Sequence, residues 1–172
     1  MNSYVRSNPK RCIGCRTCLI SCVVAHSDKS FFELDPDGYA FNPRLFMAKT
    51  TLVTTPVHCR HCENPACKAS CLSKAISVVD NRVLVDAKKC IGCKNCVAAC
   101  PFGAMEIVDT GRSAPDGLPI KVALKCDLCE GVADSPACVK VCLTEALELV
   151  TEGDLKNDLA AKRRAAAVAA QA

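Results

Sequence analysis

The chain holds sixteen cysteines, and they fall into four groups of four with none left over. We number these quartets in chain order: quartet one is Cys12, Cys15, Cys18, Cys22; quartet two is Cys59, Cys62, Cys67, Cys71; quartet three is Cys90, Cys93, Cys96, Cys100; and quartet four is Cys126, Cys129, Cys138, Cys142. Quartets one and three have the spacing C-x2-C-x2-C-x3-C, which is typical of thiolates that hold 4Fe-4S clusters. Quartets two and four lengthen only the middle gap, and we interpret them as the same unit with an inserted loop. The pattern predicts four 4Fe-4S clusters that carry single electrons, with all sixteen cysteines as iron ligands.

Disulfide cross-links and zinc sites are the two other uses of dense cysteine. Residues 1–6 contain no apolar signal segment, so we expect a cytoplasmic protein, and disulfides are rare in the cytoplasm. A zinc site takes two C-x2-C pairs around one ion, which leaves the third cysteine of quartets one and three without a function. In a cubane cluster each thiolate binds a different iron, so one short loop supplies three ligands. The spacing therefore favours clusters over both alternatives.

Short elements are predicted around the quartets. In quartets two, three and four, an alanine stands four residues after the last cysteine and opens an alternating apolar run, at residues 75–79, 104–108 and 146–150. Alternation of this kind predicts a strand, and residues 83–85 are expected to complete a hairpin with the first of these runs. Residues 45–54 are also strand-like. The three residues before each closing cysteine predict the first turn of a short helix.

These segments resemble the four-cluster ferredoxin-type electron-transfer subunits of formate hydrogenlyase and of related hydrogenase, carbon monoxide dehydrogenase and formate dehydrogenase complexes. The resemblance covers residues 1–150 and rests on the segments 12–18, 59–67, 90–104 and 125–129. Leu72 and Leu143 depart from it, because the family usually has proline after the closing cysteine, as at Pro101. The resemblance implies a loop-rich α+β fold with two ferredoxin-like double-cluster modules related by pseudo-symmetry. We predict an outer module of residues 1–56 and 120–150, an inner module of 57–119, and a helical tail of 151–172.

The resemblance also implies that the closing cysteines are exchanged between the two clusters of each module. Spacing alone says only that such cysteines are swapped between adjacent clusters. The implied outer sets are Cys12, Cys15, Cys18 with Cys142, and Cys126, Cys129, Cys138 with Cys22; the implied inner sets are Cys59, Cys62, Cys67 with Cys100, and Cys90, Cys93, Cys96 with Cys71.

Residues next to the cysteines are candidates for tuning the clusters. We expect Gly14 and Gly92 to let the backbone approach the cluster sulfurs. Cations beside the quartets could favour the reduced clusters or could simply be solvated, and they are Arg16, Arg60, Lys94 and Lys125. The histidines are interpreted as surface groups or as donors to cluster sulfur, and they are His26, His58 and His61.

Composition narrows the function. A net charge of +4 from 22 basic and 18 acidic residues indicates neither nucleic acid nor a lipid surface, and no run is long enough to span a membrane. No phosphate loop, metalloprotease motif or nucleophile elbow is present, so we predict a non-catalytic electron-transfer subunit. Its expected partners are catalytic redox subunits, with a formate dehydrogenase and a hydrogenase favoured. The alternatives are a free ferredoxin that serves several enzymes and a maturation protein with structural clusters.

Two segments outside the quartets are candidate contact surfaces. Residues 27–56 hold five aromatic residues around a turn at 35–38, and they form either a lid over a cluster or an interface; the aromatics are Phe31, Phe32, Tyr39, Phe41 and Phe46. The alanine-rich tail is predicted to be helical, with Asp154 as its N-cap and Leu155 and Leu159 on one face. It is either a solvated extension or a docking element for a partner or a second copy of the chain.

Overall fold

The computed structural model describes residues 2–28, 31–33 and 41–169. Its helices and strands are short because loops that carry cysteines interrupt the chain at every quartet. The strands are β1 (Tyr4–Ser7), β2 (Phe46–Lys49), β3 (Thr54–Val57), β4 (Ile76–Val79), β5 (Arg82–Val85), β6 (Glu106–Ser113), β7 (Pro119–Leu124) and β8 (Leu147–Val150). The helices are α1 (Thr17–Ala25), α2 (Ala66–Ala69), α3 (Asn95–Ala99), α4 (Ala137–Lys140) and α5 (Glu152–Ala169), with a 3-10 turn at Phe31–Glu33. The predicted turn at 35–38 and Tyr39 lie outside the described residues.

The described strands form antiparallel pairs, and three of these pairs join neighbours in the chain. They are β2 with β3, β4 with β5, and β6 with β7. The fourth pair joins the two ends of the cluster-bearing region, because β1 pairs with β8 and Tyr4 lies opposite Val150. Strand β8 is thus held by a strand from the other end of the chain.

The predicted alternating runs are confirmed as β4, β8 and the beginning of β6. The predicted hairpin is confirmed as β4 and β5, and its turn residues Asp80 and Asn81 both have positive φ, 46° and 61°. Two adjacent positive φ values are typical of the tight turn that suits the twist of a hairpin. The strand-like segment 45–54 instead contains β2 and the first residue of β3, because Thr50 closes a turn between them.

The predicted helical turns are also confirmed, since the third cysteine of every quartet lies in one of the helices α1 to α4. Helices of four or five residues, such as α2 and α4, are too short to be stable by themselves in water. They are stabilised by pairing: α1 packs against α4, and α2 packs against α3. Each helix pair therefore brings two quartets together.

Two clusters of buried side chains form separate cores. The first combines β1, β8 and the loop before β2 with cysteines of quartets one and four, and its buried apolar members include Val5, Leu45 and Leu147. The second combines β4, β5 and β7 with cysteines of quartets two and three, and it includes Ile76, Val83 and Ala123. The predicted boundary between residues 119 and 120 falls inside β7, whose side chains pack with the second core.

The tail begins with a reciprocal capping arrangement. The backbone amide of Thr151 donates to Asp154 Oδ2 at 2.8 Å, and the amide of Asp154 donates to Thr151 Oγ1 at 3.4 Å. Thr151 is therefore the capping residue, and Asp154 is its partner in the first helical turn rather than the N-cap. Helix α5 contacts the rest of the chain through a salt bridge of 3.6 Å between Arg6 and Asp158. In the described part of the chain, none of the helices has the length and apolar character needed to cross a membrane.

Candidate iron–sulfur centres

The four C-x-x-C loops share one backbone geometry. The residue before the second cysteine has a positive φ in every loop: 69° at Gly14, 45° at His61, 65° at Gly92 and 61° at Leu128. Two of the four are not glycine, so this turn accepts side chains despite the cost of the left-handed conformation. At Gly14 and Gly92 the absence of a side chain is also required by close neighbours. A Cβ at Gly92 would lie 2.7 Å from the carbonyl oxygen of Lys121 in β7, and one at Gly14 would lie 3.0 Å from Thr54 Cγ2. Each glycine thus leaves room for a neighbouring strand. The expected approach of the loop backbone to the cluster sulfurs stays a prediction.

The segment after the closing cysteine also repeats in quartets two, three and four. The third residue after that cysteine has a positive φ at Lys74, Gly103 and Glu145. The alanine that follows is buried to 2% exposure in all three repeats, at Ala75, Ala104 and Ala146. Two of these alanine amides donate to the closing sulfur, Ala104 to Cys100 at 3.4 Å and Ala146 to Cys142 at 3.2 Å. The repeat that is visible in the sequence is therefore a repeat of geometry.

Two small cavities are each lined by four cysteines drawn from two quartets. The first is lined by three cysteines of quartet one and the last of quartet four, which are Cys12, Cys15, Cys18 and Cys142. The second is lined by three cysteines of quartet two and the last of quartet three, which are Cys59, Cys62, Cys67 and Cys100. We call these cavities site I and site III.

Mutual electrostatic effects link seven of the remaining eight cysteines. Burial raises the pKa of Cys138, and the negative charges of Cys126, Cys22 and Cys129 raise it further. Burial likewise raises the pKa of Cys96, with Cys90 and Cys71 contributing. We call the group Cys22, Cys126, Cys129, Cys138 site II. Cys71, Cys90 and Cys96, together with Cys93 of the same quartet as Cys90 and Cys96, are called site IV. As in sites I and III, one cysteine of each group comes from a different quartet than the other three.

Backbone amides are directed at the sulfur atoms of all four sites. Amide donation to sulfur is one of the factors that set the reduction potential of an iron–sulfur cluster. Besides the two alanine amides above, the donors are Arg44 to Cys22 at 3.3 Å, His61 to Cys59 at 3.4 Å, Ala123 to Cys90 at 3.3 Å and Ala137 to Cys129 at 3.4 Å.

The sites differ in their exposure to solvent. Site II is fully buried, since its four cysteines are between 4% and 7% exposed. Sites I and IV each contain one exposed cysteine, Cys15 and Cys93, and site III contains only half-buried ones. Burial raises the pKa of Cys126 in site II to about 12, with backbone donors and Lys125 opposing the shift. Metal binding there must release a tightly held proton.

Sites II and III meet at a group of buried polar residues. Cys59 packs against the core that holds the site II cysteines, and its charge contributes to the raised pKa of Cys126. Lys125, which is 2% exposed, donates from Nζ to the carbonyl oxygen of Cys126 at 2.7 Å. His58 Nε2 lies 3.8 Å from Cys138 Sγ. Of the four cations noted in the sequence, Lys125 is the buried one, whereas Arg16, Arg60 and Lys94 are exposed.

The histidines occupy three different environments. His26 bridges α1 to quartet four, because Nδ1 donates to the carbonyl oxygen of Cys22 at 2.7 Å and Nε2 lies 3.0 Å from Asp127 Oδ1. Burial opposes the charged form of His26, but these hydrogen bonds raise its pKa to about 9. His58 and His61 are buried, so the surface interpretation is wrong for both. Burial lowers their pKa values to about 4 and about 3, which leaves both rings neutral at pH 7.

The residues present fit iron–sulfur clusters. All sixteen cysteines are free thiols. His61 Nδ1 accepts the amide of Val83 at 3.0 Å, so its Nε2 carries the proton, and that buried atom has no partner among the described residues. A cluster sulfide is an acceptor for such an orphaned donor. Within the described ranges, no three His, Cys, Asp or Glu side chains converge on a single metal ion, whereas a cubane spreads its thiolates over four irons.

Comparisons with known proteins agree with this chemistry. The family described as 4Fe-4S dicluster domain matches residues 50–152. The electron transport protein HydN of Escherichia coli is 40% identical, and the alignment covers 98% of this chain and 99% of HydN. Hydrogenase-4 component A of the same organism is 34% identical over 97% of this chain and 91% of that protein. The E. coli protein AegA is 43% identical over 95% of this chain, which spans about a quarter of the length of AegA, since 24% of it is covered.

The HydN alignment runs nearly end to end in both proteins, and the family match includes three of the four quartets. The chain therefore belongs to the 4Fe-4S dicluster family of ferredoxin-type electron-transfer subunits, and its sixteen cysteines provide for four 4Fe-4S clusters.

Proposed function

We propose that the chain conducts electrons between two catalytic subunits along the order site I, site II, site III, site IV. The four sites hold one cluster each, with the ligand sets defined above. Helix α1 carries Cys18 of site I and Cys22 of site II, and it packs against α4, which carries Cys138 of site II. Cys59 and Cys126 link site II to site III, and α2 and the segment around α3 connect site III to site IV. When bound, each cluster takes up and gives back one electron.

The observation that carries this proposal is the distribution of exposure along the four sites. Cys15 of site I and Cys93 of site IV are exposed, whereas site II is buried. Electron exchange with another protein requires a site near the surface, and internal transfer requires sites shielded from water. Exposed sites at both ends of a continuous row suit a conductor with two contacts, and a protein with purely structural clusters needs neither end exposed.

We further propose, by analogy with two relatives, that the two catalytic subunits are a formate dehydrogenase and a hydrogenase. One relative is named as a component of hydrogenase-4 and another as an electron transport protein. In this arrangement the chain makes and breaks no substrate bonds. A cytoplasmic location suits it, since sixteen free thiols persist in a reducing compartment.

We also propose the two-module organisation, in revised bounds. An outer module combines β1, α1, α4 and β8, and an inner module combines α2, β4, β5, α3, β6 and β7. The pairing of β7 with β6 and the contact of Ala123 with Cys90 Sγ support an inner module that extends to residue 124. The pseudo-symmetry of the modules is supported by the shared loop geometry of all four quartets.

The ligand sets are tested with a pair of single variants. Cys100→Ser removes a ligand from site III under the proposed exchange, although Cys100 is adjacent in sequence to the cysteines of site IV. We expect the spectroscopic signals of the site III cluster to change more than those of site IV, and the converse for Cys71→Ser. Electron paramagnetic resonance of the partly reduced protein separates the clusters. The assignment is wrong if Cys100→Ser alters only the site IV cluster.

The conducting function is tested by metal analysis and electron transfer. Protein purified under anaerobic conditions should contain about sixteen iron and about sixteen sulfide per chain. With a formate dehydrogenase and a hydrogenase from the same source, it should couple formate oxidation to hydrogen production. Stoichiometric zinc without sulfide, or reduction potentials too high for either reaction, would rule the function out.

A further inference from the structure

We propose that sites I and IV carry matched docking patches, each formed by an isoleucine, a leucine and a cation, and that each patch binds a redox protein whose contact surface is apolar and flanked by carboxylates. The inference rests on the proposed function, because it names the surfaces through which such a conductor exchanges electrons. It assigns a role to Leu72 and Leu143, the two positions that depart from the usual proline.

At site I the patch consists of Ile13, Leu143 and Arg16. Ile13 is 68% exposed and Leu143 is 83% exposed. Ile13 and Arg16 line the same cavity as Cys142, which precedes Leu143 directly in the chain. Arg16 follows Cys15, the exposed cysteine of site I, so each of the three residues is next in the chain to a site I cysteine.

At site IV the same three kinds of side chain recur. Ile91 is 66% exposed, and Leu72, which follows Cys71, is 73% exposed. Lys94 is exposed and follows the exposed Cys93. Its backbone matches that at site I, because φ is 66° at Lys94 and 64° at Arg16. Two sites from different quartets therefore present the same surface chemistry.

The loops of the two central sites do not have this combination. At site III the isoleucine position holds Arg60, the cation position Glu63 and the leucine position Pro101. At site II the corresponding residues are Asp127, Glu130 and Val23, and Val23 is buried to 4% exposure. The apolar pair with its cation thus occurs where a cysteine is exposed. If these residues were needed to bind a cluster, they would occur at all four sites.

The charges decide the chemistry of the partner. In the described part of the chain neither Arg16 nor Lys94 forms an ion pair, so both cations are available to a binding partner. Carboxylates around an apolar contact complement such a patch, and complementary charges raise the rate of encounter. A second copy of this chain is a poor occupant because it would bring one cationic patch against another.

A defined surface can serve as the probe. The intact protein with its clusters is adsorbed on gold coated with a mixture of methyl-terminated and carboxylate-terminated thiols, and the rate of electron exchange is measured by film voltammetry. We expect the double variant Leu72→Glu, Leu143→Glu to exchange electrons at least about tenfold more slowly than the unmodified protein, since acids would face acids. The control is Leu118→Glu, because Leu118 is 64% exposed in the loop before β7 and lies in neither patch; its rate should stay within about twofold of the unmodified rate.

The outcomes separate the docking patches from the conducting function. Chemical reduction of all four clusters by dithionite should be unchanged in the double variant, and a failure of the unmodified protein in this assay contradicts the conducting function itself. Equal rates for the double variant and the unmodified protein on the mixed surface overturn the docking patches alone. They are also overturned if the unmodified protein exchanges equally fast on a hydroxyl-terminated surface. A shift of the double variant to a smaller species on size exclusion assigns the patches to a second copy instead.

Discussion

In the proposed order of sites, the central sites II and III and the terminal sites I and IV use the same loop geometry in opposite surroundings. The C-x-x-C turn has a positive φ at Gly14 and Gly92 in the terminal sites, and also at His61 and Leu128 in the central ones. The glycines at 14 and 92 leave room for a neighbouring strand, whereas the side chains of His61 and Leu128 are buried. Backbone geometry is therefore set by the task of holding a cluster, and the side chains on it decide whether that cluster is at the surface or inside.

The electrostatic surroundings differ in the same way. Lys125 and the neutral rings of His58 and His61 are buried where sites II and III meet, and Asp127 is held there by His26 and Arg44. Burial opposes the charge on Asp127, but the hydrogen bond from His26 lowers its pKa overall, with Arg44 adding to the shift. The terminal sites have solvated cations and apolar side chains instead. The surroundings of sites II and III are thus a fixed polar environment, and those of sites I and IV are the proposed contact surfaces.

The largest contrast is expected from removing one ligand at each kind of site. Cys138→Ser should destabilise the whole outer module, because Cys138 is buried to 4% exposure and α4 also positions site I. We expect a loss of about eight of about sixteen irons. Cys15→Ser should cost at most about four irons, since Cys15 is exposed. Iron analysis with circular dichroism checks this, and equal losses in both variants would remove the distinction between centre and end.

Removing the buried cation should change potentials in the centre only. In Lys125→Met the positive charge that favours the reduced clusters is lost, so the midpoint potentials of sites II and III should fall by on the order of 60 mV, the one-electron equivalent of about 1.4 kcal/mol. The matched control is Lys156→Met, since Lys156 is 72% exposed on α5. Potentiometric titration followed by electron paramagnetic resonance measures both. Unchanged central potentials would show that Lys125 has only a packing role.

Chelators should attack the ends before the centre. Exposed Cys15 and Cys93 open sites I and IV to solvent, whereas site II is closed. During incubation with a chelator in the presence of a little oxygen, we expect about half of the iron to leave in a fast phase and the rest at least several-fold more slowly. The visible absorbance follows the loss. A single exponential for all sixteen irons would contradict the comparison.

The smallest effect on the clusters is expected from deleting the tail. Helix α5 contributes no cysteine, and Leu159 is 45% exposed, so truncation after Thr151 should leave iron content and absorbance unchanged. A helix with so little packing is stabilised mainly by contacts that cover it. If α5 docks on a partner or on a second copy, the truncated protein elutes as a smaller assembly on size exclusion. Identical elution of the two forms would assign α5 to a solvated extension.

Much of the local structure was predictable because it follows from periodicity and spacing. The alternating runs after Cys71 and Cys142 predicted β4 and β8, and the short gaps before the closing cysteines predicted the helical turns. The ligand sets remain predictions that the cavities of sites I and III support. Both kinds of inference need only residues that are close in the sequence, together with a known ligand spacing.

The remaining features depend on contacts between distant parts of the chain. Strand β1 has no strong strand pattern of its own, and it forms because β8 supplies its hydrogen-bond partner. The sequence does not distinguish Lys125 from Lys94, because both lie beside a cysteine, yet Lys125 is buried and Lys94 is exposed. One sequence signal could have pointed to the two sites with an exposed cysteine. Ile13 and Ile91 follow the first cysteine of quartets one and three, where the other two quartets have Arg60 and Asp127.

The pairing of β1 with β8 has a consequence for biosynthesis. Under the proposed ligand sets, the inner module has all eight of its cysteines once residue 100 has left the ribosome, whereas the outer module waits for Cys142 and then for β8 to reach β1. Contacts between residues so far apart in the chain form slowly. The inner clusters would therefore be loaded first, and quartet one would wait with unfilled thiols until the last quartet arrives. Under the proposed ligand sets, we expect iron and sulfide to be delivered in this order, with the longest exposure to oxidants at Cys12, Cys15, Cys18 and Cys22.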